Sequence, residues 1–444
     1  MKVNRFKNFC SNFHTFFLEH KAAIVILGLL LMFKICMIYE TGIVYSLSSD
    51  DLSYVNSGIH FANTGEITMH DEYPSAQIMP GMTILVGVFS LVFGEGKLLW
   101  LVLKLLWAVM GTLCAWYIYK SVTLFAPKWC GVVAMLPLFR PDYAWMDSIL
   151  LTETPFLLSL VIMVYYTLKM GKENCGYKNF ICCMLAYFCG LMLKANIALY
   201  PFFALVYLLI VKYDKKLLLK QCVILACVVC CFVVPWSIRN YIHFNEFIPL
   251  TYGAGNPTLL GTYQGKGYPD DEMLDYKTNV DDVVKEKYSE LYDDDGNPKP
   301  QYEKFLSLKN DSVKAAYRQK EWLKTNPVGY IYSFLVIKPR EMINSVFYWQ
   351  PSFGIDVSVI EKLPYLEIIL CILTAAAAVV MKKFRSQIFY LLAVYIGNIY
   401  IYAATFSFDR YNASLVYIRY IIIGIGISLM IDFIAKTLAK KKIT

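Results

Sequence analysis

The sequence predicts an all-α integral membrane protein, and three observations carry that expectation. Of the 444 residues, 57% are apolar and only 17% charged, whereas about a quarter of an average soluble chain is charged. Apolar runs of roughly 17–25 residues, the length that a hydrocarbon core about 30 Å thick demands of a helix, recur along the whole chain, and mean hydropathy is +0.47. Lys and Arg gather in short segments between these runs, at 2–21, Lys169–Lys178, Lys212–Lys220, Lys382–Arg385 and Lys436–Lys442. Such segments mark the cytoplasmic side of a membrane protein. The formal net charge of +8 therefore points to lipid headgroups rather than to nucleic acid.

The first apolar run, Ala22–Tyr39, follows Lys2, Arg5, Lys7 and Lys21 and has no small-residue cleavage site behind it. It reads as a retained span with its amino end in the cytoplasm. With that run taken as 22–40, further candidate spans lie at 78–94, 98–119, 121–139, 148–168, 179–194, 196–211, 215–236, 329–349, 366–381, 387–406 and 413–435. Twelve crossings return the carboxyl end to the cytoplasm, where Lys440–Lys442 belong. With 41–77 and 140–147 both outside, the three apolar segments between them cannot all cross. The segment 78–94, with Pro80 and Gly81, is the candidate for a short, tilted or re-entrant element.

The expected organisation is a cytoplasmic segment 1–21, a membrane module 22–236 containing an outer loop 41–77, an outer domain 237–328, a second membrane module 329–435 and a basic tail 436–444. None of the 13 cysteines falls in the two long outer segments, so no external disulfide framework is expected, and Cys182-Cys183 and Cys230-Cys231 lack metal-site spacing. The acidic residues Asp281-Asp282 and Asp293-Asp294-Asp295-Gly296 miss the spacing of a calcium loop and read as solvated turns. Neither a cofactor nor a metal site is expected.

Chemistry concentrates on Asp50-Asp51, directly after the first span. Residues 54, 55, 58, 59 and 62 are small or apolar at helical spacing, which predicts an interfacial amphipathic helix with both aspartates at its start. An isolated acidic pair reads first as a solvated helix start. Beside an apolar interface it also suits a general base, because partial burial raises carboxylate basicity.

The series Asp50-Asp51-Leu-Ser-Tyr54, Ala62-Asn-Thr-Gly65-Glu66, Pro74 through Met79-Pro80-Gly81 and Phe93-Gly94 resembles the opening of the membrane glycosyltransferases of the C-type fold (GT-C). More narrowly it is similar to the branch with the dolichyl-phosphate-mannose protein mannosyltransferases and the lipid A aminoarabinose transferase (glycosyltransferase family 39-like). Asp50 matches the catalytic Asp of that branch's Asp-Glu-x-x-Tyr and Tyr54 its Tyr, while Asp51 replaces the usual Glu and leaves the choice between the aspartates open. Thr152-Glu153, Gly190-Leu-Met-Leu-Lys194, Pro235-Trp236-Ser-Ile-Arg239-Asn240, Gly253-Ala-Gly255-Asn256 and Asn326-Pro327 through Lys338 resemble later elements in order. Arg410-Tyr411 or Arg419-Tyr420 stands where a late Arg-Tyr is expected.

The resemblance implies a bundle of about 11–13 transmembrane helices with interfacial helices in the first outer loop and a small, mainly helical outer domain. It implies transfer of a sugar from a polyprenyl-phosphate donor to an acceptor hydroxyl of a lipid, glycan or protein, at the outer face of a membrane of the bacterial cytoplasmic type. Asp50, Asp51 and Glu153 are then the catalytic candidates, Arg239 and Lys194 the donor-phosphate ligands, and Tyr54, His60 and Asn256 the substrate contacts. Cations at outward-facing helix ends suit a phosphate, and equally suit ordinary snorkelling, as do Arg140 and Lys338. A lipid-linked saccharide flippase and a polysaccharide polymerase remain as other classes. The first would favour mid-span charges and related halves, of which few and none, respectively, are evident.

Overall fold

The structure is a computed structural model that describes the backbone of residues 2–173 and 177–441, and side chains within 15–173 and 177–435. The expected tail 436–444, the basic residues of 2–14 and the centre of the basic segment 169–178 lie outside the described side chains. The helices, in order, are α1 (Lys2–Thr41), α2 (Asp50–Thr64), α3 (Gly81–Phe93), α4 (Lys97–Thr123), α5 (Lys128–Met135), α6 (Pro141–Met146), α7 (Glu153–Glu173), α8 (Tyr177–Leu193), α9 (Tyr200–Ile210), α10 (Lys215–Phe244), α11 (Gly255–Leu260), α12 (Asp282–Lys287), α13 (Glu303–Thr325), α14 (Pro327–Tyr332), α15 (Lys338–Asn344), α16 (Val357–Ile360), α17 (Leu363–Met381), α18 (Arg385–Ala403), α19 (Asp409–Ala413) and α20 (Tyr417–Lys441). Among the described residues the only extended pairing is three isolated bridges, such as Thr68 with Pro74.

Among the described residues, seven helical stretches are long and apolar enough to cross a membrane: Phe17–Thr41, Lys97–Thr123, Glu153–Glu173, Lys215–Phe244, Val357–Met381, Arg385–Ala403 and Tyr417–Ala435. Four shorter apolar helices accompany them, Gly81–Phe93, Lys128–Phe139, Tyr177–Leu193 and Ala195–Ile210. At 1.5 Å per residue the 13-residue α3 is only about 20 Å long, so the expected 78–94 span is a short element. The expected span 121–139 is likewise short, α5 continued by a 3₁₀ turn at Leu136–Phe139. The expected span 329–349 is not among the long apolar helices. It is α14 and α15 joined through a π-helical turn, Ser333–Ile337, and Lys338, Arg340 and Glu341 dilute its apolar content.

Burial sets the layering. In α7, 72% of the apolar window is buried inside the protein, against 11% in α10, so α7 is the axis of the bundle and α10 an outlying helix. Helix α4 packs on α1, α5 and α7, α8 lies along α7, and α20 packs on α17 and α4.

One end of the bundle carries the polar elements. There α2 lies across α3, and the two backbones approach so closely at Gly58 that a methyl group would collide with Val86. The loop after α2 and the domain after α10 share a second apolar core of Ala76, Trp236, Phe244, Tyr252, Val284 and Phe305. Backbone and side chain both seal this seam: Tyr252 N–H donates to Ala76 C=O at 3.0 Å, and the Ser75 and Tyr252 hydroxyls meet at 3.1 Å. Within the domain, wholly buried Arg318 pairs with Asp271, donates to Thr262 Oγ1 at 2.7 Å and to Pro269 C=O at 3.0 Å, and lies 3.7 Å over the Tyr263 ring. Every edge of that guanidinium is therefore occupied by the fold.

Candidate active site

The amphipathic pattern at 54–62 becomes α2, which begins at Asp50. Acidic residues favour the first turn of a helix, where unpaired N–H groups and the positive end of the helix dipole lie. The two aspartates point into different environments. Asp51 is wholly buried. Its Oδ2 accepts Leu47 N–H at 2.7 Å and its Oδ1 accepts Ser49 N–H at 3.3 Å, so it folds the turn between α1 and α2. Lys104, which donates to Gly42 C=O and Tyr45 C=O at 2.9 and 2.8 Å, reinforces the same turn.

Asp50 is about one-third exposed and faces the opposite way. Its Oδ2 accepts Arg410 Nη1–H at 2.7 Å, and its Oδ1 lies 3.5 Å from His70 Nε2. Arg410 sits on the short α19, and its Nε–H donates at 2.7 Å to Glu153 Oε1, an oxygen that also accepts Lys194 Nζ at 2.6 Å. Glu153 has no exposed side-chain surface, while Arg410 and Lys194 retain 12% each. Four sequence-distant segments thus converge in one chain of alternating charge, Asp50–Arg410–Glu153–Lys194.

Each segment has a local reason for its place. Glu153 occupies the first position of α7 with Pro155 in the same turn, a start that needs no donor from the proline and favours a carboxylate. Lys194 follows the last turn of α8 in extended conformation, φ −144°, so its side chain leaves the helix axis and crosses to α7. In α19, Arg410 N–H is held by Asp409 Oδ1 at 2.8 Å, and Asn412 accepts Tyr395 O–H at 3.0 Å and donates to Ser345 C=O at 3.1 Å.

Electrostatics follow this geometry. Burial opposes charge on Arg410, but Glu153 and Asp50 outweigh it and hold the guanidinium's pKa above its ordinary value. Tyr54 is buried beside the chain, and burial, then the Asp50 carboxylate, raises its phenol pKa. Tyr54 thus stays a neutral hydroxyl against the catalytic candidate. Burial lowers the His70 pKa, partly countered by Asp50.

The structure therefore brings together Asp50, Tyr54, Glu153 and Lys194 of the residues singled out from sequence. It does not bring Arg239, His60 or Asn256 into that cluster. Arg239 braces the loop after α2, donating to Ser75 C=O at 2.8 Å and to Ile67 C=O at 3.3 Å while its guanidinium lies 5.1 Å from the Trp236 ring. It faces a separate cavity of about 440 Å³ lined by Glu66, Pro80, Phe232, Trp236 and His243. Ile84 and Met192 belong both to that cavity and to an almost wholly apolar one of about 630 Å³ between α3, α4, α7 and α8. His60 Nε2 is buried and unpartnered. Asn256 donates to Asp311 Oδ2 at 3.0 Å within the domain after α10.

Two residues were not separable in the sequence. Arg410 was one of two late Arg-Tyr pairs. The other, Arg419, lies in a different buried network with Glu367 and Tyr395. His70, a lone histidine in a loop, carries no periodic signal. No group of three or more His, Cys, Asp or Glu suited to a metal occurs among the described residues.

Residues 79–238 match the family model described as dolichyl-phosphate-mannose-protein mannosyltransferase. No curated protein matches the chain by sequence. Among solved structures, the archaeal oligosaccharyltransferase AglB from Archaeoglobus fulgidus, in complex with an inhibitory peptide and a dolichol-phosphate, is similar over 96% of this chain and 52% of its own, with 12% identity and a TM-score of 0.56. ArnT from Cupriavidus metallidurans bound to undecaprenyl phosphate aligns over 92% of this chain and 77% of its own, with 12% identity and a TM-score of 0.40. The likeness to the oligosaccharyltransferase shows the fold, a mainly helical membrane bundle of the same architecture. The chain spans about half the length of that protein.

Proposed function

We propose that this protein is a membrane glycosyltransferase that moves a sugar from a polyprenyl-phosphate donor to an acceptor hydroxyl at the outer membrane face, with Asp50 as general base. The observation that carries the reading is the part-exposed Asp50 carboxylate, held at 2.7 Å by an Arg410 that is itself fixed on buried Glu153. A base must be ionised, oriented and reachable, and this arrangement supports all three. Asp51 is not reachable, since it is wholly buried and both of its oxygens serve backbone amides.

In the proposed reaction the acceptor oxygen attacks the anomeric carbon as Asp50 takes its proton. The bond from that carbon to the donor phosphate breaks, and the phosphate leaves with the electron pair. Charge at the anomeric carbon becomes oxocarbenium-like, which a carboxylate stabilises. Lys194 and Arg410, each 12% exposed, are the cations that the Asp50 cluster offers to the developing phosphate charge. The apolar cavity and the Arg239 cavity share Ile84 and Met192 in their walls, and as neighbours they offer what a lipid phosphate needs, apolar surface for the chain and a guanidinium for the head.

Reconstitution with a radiolabelled polyprenyl-phosphate sugar tests the reading. Label should pass to an acceptor; label moved unchanged across the bilayer supports the flippase, and joined repeat units the polymerase. Asp50→Asn should abolish transfer while the protein inserts and purifies normally. Full transfer by that variant overturns the role given to Asp50.

A further inference from the structure

We propose that His70 is the proton relay of this site, taking from Asp50 the proton that the acceptor hydroxyl delivers and passing it to the outer solvent. The proposal rests on the function proposed above. It begins from a backbone anomaly. His70 has φ +68°, a left-handed conformation that is unfavourable for a non-glycine residue. What the conformation achieves is visible in the side chain: Nδ1 lies 2.8 Å from Ser53 Oγ, one turn of α2 beyond Asp50, and Nε2 lies 3.5 Å from Asp50 Oδ1.

Ser53 Oγ can accept from Nδ1–H or donate to Nδ1, so both neutral tautomers fit these two contacts, and one of them is the tautomer that a relay needs. With Nδ1–H donating to Ser53 Oγ, the neutral ring turns its Nε2 lone pair toward Asp50. The 3.5 Å separation is just beyond hydrogen-bond length, as is common before substrate draws a catalytic pair together. The other carboxylate oxygen, Oδ2, is held by Arg410, so Oδ1 is the oxygen left to receive the acceptor's proton and hand it on. Both side chains keep about a third of their surface exposed, 30% for His70 and 32% for Asp50, which opens the far end of the relay to water.

The surroundings keep the ring neutral and its proton affinity modest. Around it stand Asp50 and Ser53 of α2, Asp71 of its own loop and Lys304 of α13, with Glu303 acting on Asp71. Burial and Lys304 disfavour the imidazolium; Asp50 and Asp71 favour it. The proton balance closes. The acceptor O–H bond breaks, Asp50 is protonated, Asp50 returns to carboxylate as His70 becomes imidazolium, and His70 loses the proton to water.

The test is the pH dependence of kcat in reconstituted full-length protein, for wild type, His70→Gln and His70→Ala, with Asp50→Asn alongside. His70→Gln keeps a group that can bond Ser53, and should lower kcat about tenfold while KM for the donor stays within twofold. In that variant the acid-side inflection assigned to His70 should vanish. His70→Ala should recover much of its rate on adding imidazole, which a packing role would not allow. A wild-type kcat and pH profile in His70→Gln, or no imidazole rescue of a folded His70→Ala, overturns the relay. Asp50→Asn separates the two claims: if it abolishes transfer while His70 variants behave as wild type, the general base stands and the relay falls.

Discussion

Glu153 is the electrostatic keystone of the site, and replacing it by glutamine isolates its charge from its shape. The carboxylate is wholly buried and meets two cations at 2.6 and 2.7 Å through the same Oε1. At such separations, and with an effective dielectric of about 20, each pair interacts by roughly 4–6 kcal/mol before desolvation is counted. Removing one partner of a buried pair typically costs about 3–5 kcal/mol, because the remaining charge is left uncompensated. Glu153→Gln leaves two: Arg410, which still has Asp50, and Lys194, for which Glu153 is the only ion-pair partner among the described residues. The single variant should therefore unfold well below wild type in a thermal titration followed by tryptophan fluorescence. It should also lose transfer by about 10–100-fold as Arg410 and Asp50 drift from their aligned positions. The decisive measurement is the pairing of this change with Lys194→Met. Deleting the stranded cation should restore part of the stability, with a coupling of about 1–3 kcal/mol. Strict additivity of the two substitutions, or a Glu153→Gln protein as stable as wild type, would refute the account of Glu153 as a shared counter-ion.

Three further expectations complete the set. Asp51→Asn should lower stability by about 1–3 kcal/mol, since its amide leaves one of two buried backbone N–H groups poorly paired, yet retain measurable transfer where Asp50→Asn retains none; equal loss in both would return the choice between the aspartates to open. Arg239→Ala should raise KM for the lipid donor more than it lowers kcat, read in the same proteoliposome assay; it also frees Ser75 C=O and Ile67 C=O, so Arg239→Lys is the milder companion variant. His70 has a folded-state pKa below its ordinary 6.5, so the native state binds fewer protons than the unfolded state just under that value. Its contribution is present above about pH 6.5 and is lost as pH falls through the depressed value. The unfolding midpoint of wild type should accordingly fall between pH 7.5 and 5 by more than that of His70→Gln.

The membrane fold and much of the candidate site's composition could be read along the chain, because both leave local signals. A bilayer demands long apolar runs, and those at 22–40, 98–119, 148–168, 366–381, 387–406 and 413–435 coincide with long apolar helices. An interfacial helix demands alternating faces, and α2 begins at the aspartates where that pattern begins. Helix starts favour acids, which put Asp50 and Glu153 on notice. The segment 329–349 misled because its apolar residues are interrupted by Lys338, Arg340 and Glu341; tertiary packing satisfies the first of these, Lys338 Nζ donating to Thr405 C=O at 2.8 Å.

What tertiary structure alone decided is which charges meet. Asp50 and Asp51 are chemically identical neighbours; only the turn that captures Asp51 and the approach of α19 give them different duties. Arg239 and Arg410 carry the same side chain, yet one braces a loop while the other bridges two carboxylates 103 residues apart in sequence, at positions 50 and 153. His70 reaches Asp50 because a left-handed backbone turns it there. Periodicity and composition report a residue's relation to solvent or lipid, which is set within a turn or two of helix. Pairing between distant side chains depends on how whole helices pack, and no local pattern encodes it.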